Sequence, residues 1–177
     1  NADTICAHSP QPLNALRQRA LQALSGASLP HKGQEDYEAT DLEAAFAPDY
    51  GLNINRVDFS GNPAETFRCD VPNMSTCMYF VYNDMFHPSS TARLGSSGIV
   101  VESFSEAAVN HPQLLSDYYG TVAPGDKPEV ALNTLLAQDG ILVYIPDNVV
   151  AQKPIQIVNV FNASMPLMAV RRLLIIV

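Results

Sequence analysis

The sequence contains few of the residues and motifs that identify several large classes of protein. It has no tryptophan, three cysteines, and ten lysines and arginines against eighteen aspartates and glutamates. The net charge of -8 makes nucleic acid and anionic membrane poor partners, because phosphate groups would be repelled. The sequence has no run of about 18 uncharged apolar residues and no signal-peptide pattern at its start. We therefore expect a soluble, cytoplasmic protein.

The cysteines are too few and too far apart for a familiar thiol motif. Cys6, Cys69 and Cys77 form no CxxC pair, and an odd number fits a reducing compartment better than a disulfide framework. Cys69 and Cys77 are candidate metal ligands, although no histidine stands at the spacing of a structural zinc site. The alternative is that these thiols are partly buried as small apolar groups.

No motif of a catalytic or nucleotide-binding site is present. Residues 95–98 read Gly-Ser-Ser-Gly, which is not the G-x-S-x-G turn of serine hydrolases. Neither a G-x-G-x-x-G nor a P-loop sequence occurs. The histidines are isolated from one another, and they are His8, His31, His87 and His111. We therefore predict no catalytic residue and no cofactor-binding residue in this chain.

Helical patterns occupy much of the chain before residue 140. Apolar residues at helical spacing predict a helix over 12–24, and Pro112 begins another that extends to Tyr119. Thr40 with Glu43, and Ser103 with Glu106, have the spacing of capping boxes, so each pair marks a helix start. Asp126 is a candidate cap for a further helix that Gly140 would end.

Short segments rich in β-branched and aromatic residues predict strands. The four before residue 140 lie at 57–59, 66–69, 77–82 and 99–101, and the four after it at 141–145, 149–150, 155–161 and 173–177. The second group is closely spaced and separated by polar turns, which is typical of a β-helix or a sandwich. Its final strand, 173–177, would leave an apolar edge through which copies of the chain could associate.

Residues 129–177, which contain Asn133, Asp139-Gly140 and Lys153-Pro154-Ile155, resemble the SufB/SufD family, and in particular its SufD type. Residues 129–177 carry most of the similarity, and residues 29–46 resemble an early segment of that family, with Tyr37 where tryptophan is usual and Ala39 where tyrosine is usual. The residues that carry the family signature are Asn133, Asp139, Gly140, Pro146, Lys153, Pro154, Ile155, Arg171 and Arg172.

The resemblance implies an α+β chain that ends in the first rungs of a right-handed parallel β-helix. Residues 3–139 would be an N-terminal helical and mixed region, and 140–177 the start of the β-helix core. Independently of the resemblance, Asn1-Ala2 has the look of a cloning remnant, so residues 1–2 are left out of the fold prediction. The family's full-length members are more than twice as long, so this chain would be only their N-terminal portion.

The resemblance also implies a function. The chain would belong to a non-catalytic scaffold subunit of the SufBCD complex for iron–sulfur cluster assembly. Its partners would be a SufB-like subunit and a SufC-like ATPase that hydrolyses ATP. No cofactor would bind to this portion, because the cluster is assembled by the full complex.

Two other classes of function stay open. One is a generic β-helical structural or interaction module. The other is a β-helical carbohydrate-active enzyme, which needs clustered carboxylates, whereas residues 141–177 contain a single acid, Asp147. Recovery of an ATPase subunit with the protein would favour the scaffold.

Overall fold

The computed structural model describes residues 2–54, 76–87 and 98–177. We number the elements within these ranges in chain order. The helices are α1 (Ala2–His8), α2 (Gln11–Leu24), α3 (Leu42–Phe46), α4 (Phe104–Asn110), α5 (Pro112–Tyr118) and α6 (Pro128–Leu136). The strands are β1 (Gly51–Leu52), β2 (Cys77–Tyr82), β3 (Met85–His87), β4 (Val100–Ser103), β5 (Asp139–Tyr144), β6 (Ile155–Val160), β7 (Leu167–Met168) and β8 (Arg171–Ile176).

The helix starts follow local capping chemistry, with two corrections to the prediction. The capping box of α4 is confirmed, because Ser103 Oγ accepts from the Glu106 N–H at 3.1 Å and Glu106 Oε2 accepts from the Ser103 N–H at 3.0 Å. Helix α3 is capped instead by Asp41, whose Oδ1 accepts from the Ala44 N–H at 2.9 Å. The predicted cap at Thr40 is therefore wrong by one residue.

Helix α6 begins and ends differently from the prediction. Lys127 occupies its N-cap position without a side-chain hydrogen bond, so the predicted cap at Asp126 is wrong. Pro128 instead supports the start, because its fixed φ suits the first helical turn and its missing N–H needs no partner there. The helix ends at Leu136, and Gly140 lies inside strand β5.

The described strands form two three-stranded sheets and one two-stranded sheet. The first, which we call the inner sheet, has the order β4-β5-β8, with β4 antiparallel and β8 parallel to β5. The second, the outer sheet, has the order β3-β2-β6, with β3 antiparallel and β6 parallel to β2. The third pairs β1 with β7 in parallel.

The inner sheet lies between the helices and the outer sheet. On its helical face, Leu142 and Leu174 pack in one cluster with Leu13 of α2, Phe104 of α4 and Leu115 of α5. Its opposite face carries Ile141 and Val143, which pack with Val81 of the outer sheet. The alternation of side chains along β5 thus places successive apolar residues in two different cores.

The predicted parallel β-helix is wrong for the described part of the chain. Strand β6 pairs with β2, β8 pairs with β5, parallel and antiparallel pairs are mixed, and the sheets have two or three strands each. The segment 149–150 forms no strand, and Val150 is 83% exposed. The cause is that strand periodicity is local, whereas the partner of each strand is chosen by packing. The architecture is α+β with small open sheets.

Some of the other predictions are confirmed by the structure. Strands are confirmed at 77–82 and, with small boundary shifts, at the positions of β4, β5, β6 and β8. The predicted strands at 57–59 and 66–69 lie outside the described residues. Within the described ranges, no helix is both long and apolar enough to cross a membrane. The division at residue 140 stays a prediction, and strand pairs connect the chain on its two sides.

Candidate functional site

The family-signature residues divide into two groups in the structure. The first group lies where α6, β5 and β8 meet. Asn133 of α6 connects the elements there: its Nδ2 donates to the Arg171 carbonyl at 3.0 Å, and its Oδ1 accepts from Arg172 Nε at 3.0 Å. Arg172 Nη2 also donates to Thr134 Oγ1 at 2.9 Å. These bonds hold the start of β8 against α6.

Asp139 holds helix α4 against the same junction. The residue is buried, its Oδ1 accepts from the backbone N–H of Ser105 at 3.1 Å, and its Oδ2 accepts from Ser105 Oγ at 3.2 Å. The Gly140 N–H also donates to Oδ1 at 2.9 Å. A carboxylate at the first turn of a helix satisfies free N–H groups and complements the helix dipole. Asp139 therefore binds α4 to the inner sheet.

Gly140 is required by close packing. A Cβ built on this residue would overlap the Phe104 ring and the Arg172 carbonyl oxygen at separations that real Cβ atoms essentially never show. The ring of Phe104 and the backbone of β8 can both approach β5 only because residue 140 has no side chain. This position had been predicted to end a helix, and its role in the structure is close approach within a sheet.

A buried aromatic ring and a partly buried cation complete the junction. The Arg172 guanidinium carbon lies 5.4 Å from the centroid of the Tyr119 ring, which meets the Phe104 ring edge to face at 5.6 Å. Burial raises the pKa of Tyr119, and the positive charges of Arg172 and Arg17 oppose part of that rise. Among the described residues, the Tyr119 hydroxyl has no hydrogen-bond partner.

The second group of signature residues lies at the open side of the two packed sheets. Lys153, Pro154 and Ile155 line a groove of about 440 Å³. We call it the inter-sheet groove, and its other lining residues are Val143, Ile145, Ala151, Gln152, Ile157 and Ile175. Most of this lining is aliphatic, and Lys153 is its charged side chain. The groove suits an apolar polypeptide segment better than a polar small molecule.

Pro146 lies in the turn that leads from β5 towards this groove. Its carbonyl accepts from the Val149 N–H at 3.1 Å, and Asn148 within the turn has a φ of 61°. Asparagine tolerates this left-handed conformation better than most residues. The Pro-Asp-Asn sequence therefore forms the tight turn after β5.

Strand β8 borders the groove and forms one edge of the inner sheet. Its first two residues are held by α6, but the exposed fractions of Leu173 and Ile175 are 48% and 57%. Ile175 is also part of the groove lining. Apolar side chains and a strand edge are thus presented together.

The structure tests only one of the two candidate metal ligands. Cys77 is a buried free thiol in β2, and Cys69 lies outside the described residues. Across 2–54, 76–87 and 98–177, no group of three or more histidine, cysteine, aspartate or glutamate side chains has the arrangement of a metal site. Metal binding by Cys69 and Cys77 stays a prediction.

Two features were missed from the sequence. Arg17 is 7% exposed, and Tyr37 donates a hydrogen bond of 2.6 Å from its hydroxyl to Glu129 Oε1, which raises the pKa of Tyr37. Arg17 had a signal, because it lies between Leu13 and Ala20 on the apolar face of α2. The contact between Tyr37 and Glu129 had none, since 92 residues separate the partners.

Comparison with known proteins identifies the family. The family described as SufBD protein N-terminal region matches residues 1–157. An iron-sulfur cluster assembly SufBD family protein of Synechocystis sp. is 30% identical over 165 residues, which are 91% of this chain and 35% of that protein. A family match that includes most of the chain defines an N-terminal region of this class. The chain belongs to the SufBD family.

Relatives with shorter aligned segments carry the same family description. One of Pyropia yezoensis is 39% identical over 72 residues, 40% of this chain and 14% of that protein. One of Arabidopsis thaliana, described as chloroplastic, is 38% identical over 71 residues, 40% of this chain and 13% of that protein. The chain thus spans 35% of the length of its Synechocystis relative and aligns with smaller parts of these two.

Proposed function

We propose that this chain is the N-terminal part of a SufD-type scaffold subunit that acts in iron–sulfur cluster assembly. The observation that carries the proposal is the family match over residues 1–157. The relatives in Synechocystis, Pyropia and Arabidopsis are described as iron-sulfur cluster assembly proteins. The assignment to the SufD type rests on the sequence Lys153-Pro154-Ile155 and the strand that follows it.

The contacts of the signature residues support a structural role without catalysis. Asn133, Asp139 and Arg172 each make hydrogen bonds that join α6, α4 or β8 to the inner sheet and its neighbours. Groups held in this way set the geometry of the sheet. We infer that the signature residues maintain the geometry of a surface that binds a partner.

The inter-sheet groove and the β8 edge are the surfaces that best suit protein partners. In the proposed function, the full-length protein binds a SufB-like subunit and a SufC-like ATPase, and ATP is hydrolysed by the latter. The cluster is assembled by the full complex, in the cytoplasm, without a cofactor bound to this portion. A mostly aliphatic groove beside a strand edge is typical of protein–protein contact.

Affinity purification tests this proposal. A tagged full-length protein that contains this chain is purified from its own cells under reducing, anaerobic conditions, and its partners are identified by mass spectrometry. We expect an ABC-type ATPase and a SufB-like subunit in near-stoichiometric amounts. Recovery of neither contradicts the scaffold function. Recovery of a SufD-like subunit in place of the SufB-like one would contradict the SufD type alone.

A further inference from the structure

The segment between α2 and β1 is closed on itself. The Pro30 carbonyl accepts from the Leu42 N–H at 2.9 Å and from the Glu43 N–H at 3.1 Å, so the two ends of residues 30–43 lie together. A compact surface loop whose ends are adjacent has the form of an Ω-loop. Helix α3 continues from the second end, and residues 30–47 therefore form one local unit.

The backbone hydrogen bonds of the 30–47 segment are internal to it. Three successive turns are closed by bonds of 3.0 to 3.2 Å, which run from Gln34 to His31, from Tyr37 to Gln34 and from Thr40 to Tyr37. The first turn of α3 is capped from within the segment by Asp41. Because these bonds begin and end inside the segment, it can separate from the rest of the chain with its own backbone groups still paired.

One hydrogen bond joins this segment to another element. The Tyr37 hydroxyl donates to Glu129 Oε1 of α6 at 2.6 Å, and among the residues that the structure describes no other hydrogen bond leaves residues 30–47. An ionised acceptor makes such a bond stronger than one between two neutral groups. Tyr37 is thus the residue that holds the segment against α6.

The segment meets α6 across a cavity. Leu42 and Phe46 of α3 line one side of this cavity of about 410 Å³, and residues of α6 and of 168–171 line the rest. Asn133, which holds the start of β8, is part of that lining. Atoms that face a cavity lack the contacts that a close-packed surface would give them. The free energy that holds the segment in place should therefore be small compared with that of the core.

The elements on both sides of the segment are fixed. Helix α2 ends at Leu24, and β1, which is paired with β7, begins at Gly51. Gly26 has a φ of 80°, and a Cβ on it would meet no atom within 4 Å, so glycine serves the backbone conformation there and not close packing. A residue of this kind directly after a helix is suited to act as a hinge.

We propose that residues 30–47 form a lid that opens as one unit over the cavity and is held shut by the hydrogen bond between Tyr37 and Glu129. Opening separates α3 from α6 and gives access to the side of the cavity that contains Leu132 and Asn133. The strand pairs of the two three-stranded sheets do not involve the lid, so they persist when it opens. The lid thus controls access to the junction of α6 and β8.

Native-state amide hydrogen exchange on the 177-residue chain, followed by nuclear magnetic resonance, tests the proposal. A segment that opens as one unit gives its amides a common protection factor. We expect the protection factors in the lid to agree within about threefold and to be at least about tenfold lower than those of β2 and β5. The amides that report on the lid are those of Gln34, Tyr37, Thr40, Leu42 and Ala45.

Matched variants test the role of the hydrogen bond. Tyr37→Phe removes the donor and keeps the ring, so we expect all five lid amides to lose protection by one common factor of about three to ten. Tyr118→Phe makes the same chemical change in α5 and should leave these amides unchanged. Glu129→Ala should act like Tyr37→Phe, and the double variant should lose no more protection than either single variant. Circular dichroism verifies that each variant folds.

Three results would overturn the proposal. These are unrelated protection factors within residues 30–47, opening of α6 together with the lid, and equal effects of Tyr37→Phe and Tyr118→Phe. None of them bears on the purification of assembly partners from cells, because the measurements concern the motion of one segment in this chain. Failure of the lid and failure of the scaffold function are thus distinguishable.

Discussion

Gly140 shows how one residue permits three elements to meet. The ring of Phe104 and the backbone of Arg172 occupy the space where a side chain of residue 140 would lie. Neither neighbour can move easily, since Phe104 is fully buried and Arg172 is bonded to Asn133 and Thr134. A methyl group at this position must therefore displace the inner sheet or helix α4.

We predict that Gly140→Ala lowers the free energy of unfolding by about 3 kcal/mol, because overpacking in a rigid core forces backbone shifts. Urea denaturation followed by circular dichroism measures the change. Gly125→Ala is the matched control, since the atom that a Cβ there would approach most closely, outside the adjoining residues, is the Ala131 Cα at 3.9 Å. Equal effects of the two substitutions would show that the close approach at Gly140 is not what limits this position.

Ionisation of Tyr119 makes the free energy of unfolding depend on pH in the alkaline range. Its folded-state pKa is raised, chiefly by burial, so the folded protein favours the protonated phenol. The stabilisation that results is complete below the unfolded pKa of about 10 and is lost as pH rises through the folded pKa. We predict that Tyr119→Phe unfolds less readily than the unmodified chain at pH values above about 10.

Thermal unfolding at pH 8 and at pH 11 measures this difference. At pH 8, Tyr119→Phe should be neutral or slightly stabilising, because the buried hydroxyl has no partner among the described residues and the ring contacts persist. Tyr118→Phe, at the exposed neighbouring residue, is the control. An identical loss of stability at pH 11 in all three proteins would refute the role of Tyr119.

At the scale of elements, Arg17 connects α2 to the end of α6. Its guanidinium donates to the carbonyls of Thr134, Leu135 and Ala137, the last at 2.6 Å. The final carbonyls of a helix lack partners within the helix, and a cation there also complements the helix dipole. Burial lowers the pKa of Arg17. The docking of these two helices thus depends on one planar, multidentate side chain.

We predict that Arg17→Lys lowers the free energy of unfolding by roughly 2 kcal/mol, since a single ammonium cannot reach the carbonyls that the planar group spans. Arg19→Lys, on the exposed side of the same helix, should change it by less than about 0.5 kcal/mol. Urea denaturation compares the two variants. If they lose the same stability, the carbonyl contacts of Arg17 contribute little to helix docking.

The short helices show where prediction at the element scale fails. The capping box of Ser103 and Glu106 was predicted from the sequence because the two residues lie within one helical turn of each other. At α3, Thr40 and Asp41 are adjacent and both are acceptable caps, and the structure uses Asp41. That choice depends on how the loop before α3 is held, and the Pro30 carbonyl holds it by accepting from the Leu42 and Glu43 N–H groups.

At the scale of the whole molecule, the core joins both sides of residue 140. Strand β2 is paired along its full length with β6, and β4 with β5. Helix α4 packs Phe104 against Leu142 and Leu174, which lie in β5 and β8. Removing the chain after residue 138 would expose these apolar surfaces and the edges of two strands.

We predict that a truncated chain of residues 2–138 does not fold by itself, because most strand pairs of its sheets use residues after 138. Near-ultraviolet circular dichroism and urea denaturation should show no fixed aromatic environment and no cooperative transition. The full 177-residue chain, which should unfold in one transition, is the control. A cooperative transition in the truncated chain would support an independent domain over 3–139.

The sequence alone determined the features that depend on nearby residues. The amphipathic face of α2, the capping box at Ser103 and the apolar strand at 77–82 are each patterns within a few residues, and the SufBD family resemblance is a series of short sequence segments along the chain. Tertiary structure alone decided which strands pair, why residue 140 must be glycine and which atoms Arg17 contacts. Side-chain periodicity indicates that one face of a strand is buried. Which element covers that face is determined by packing between distant parts of the chain.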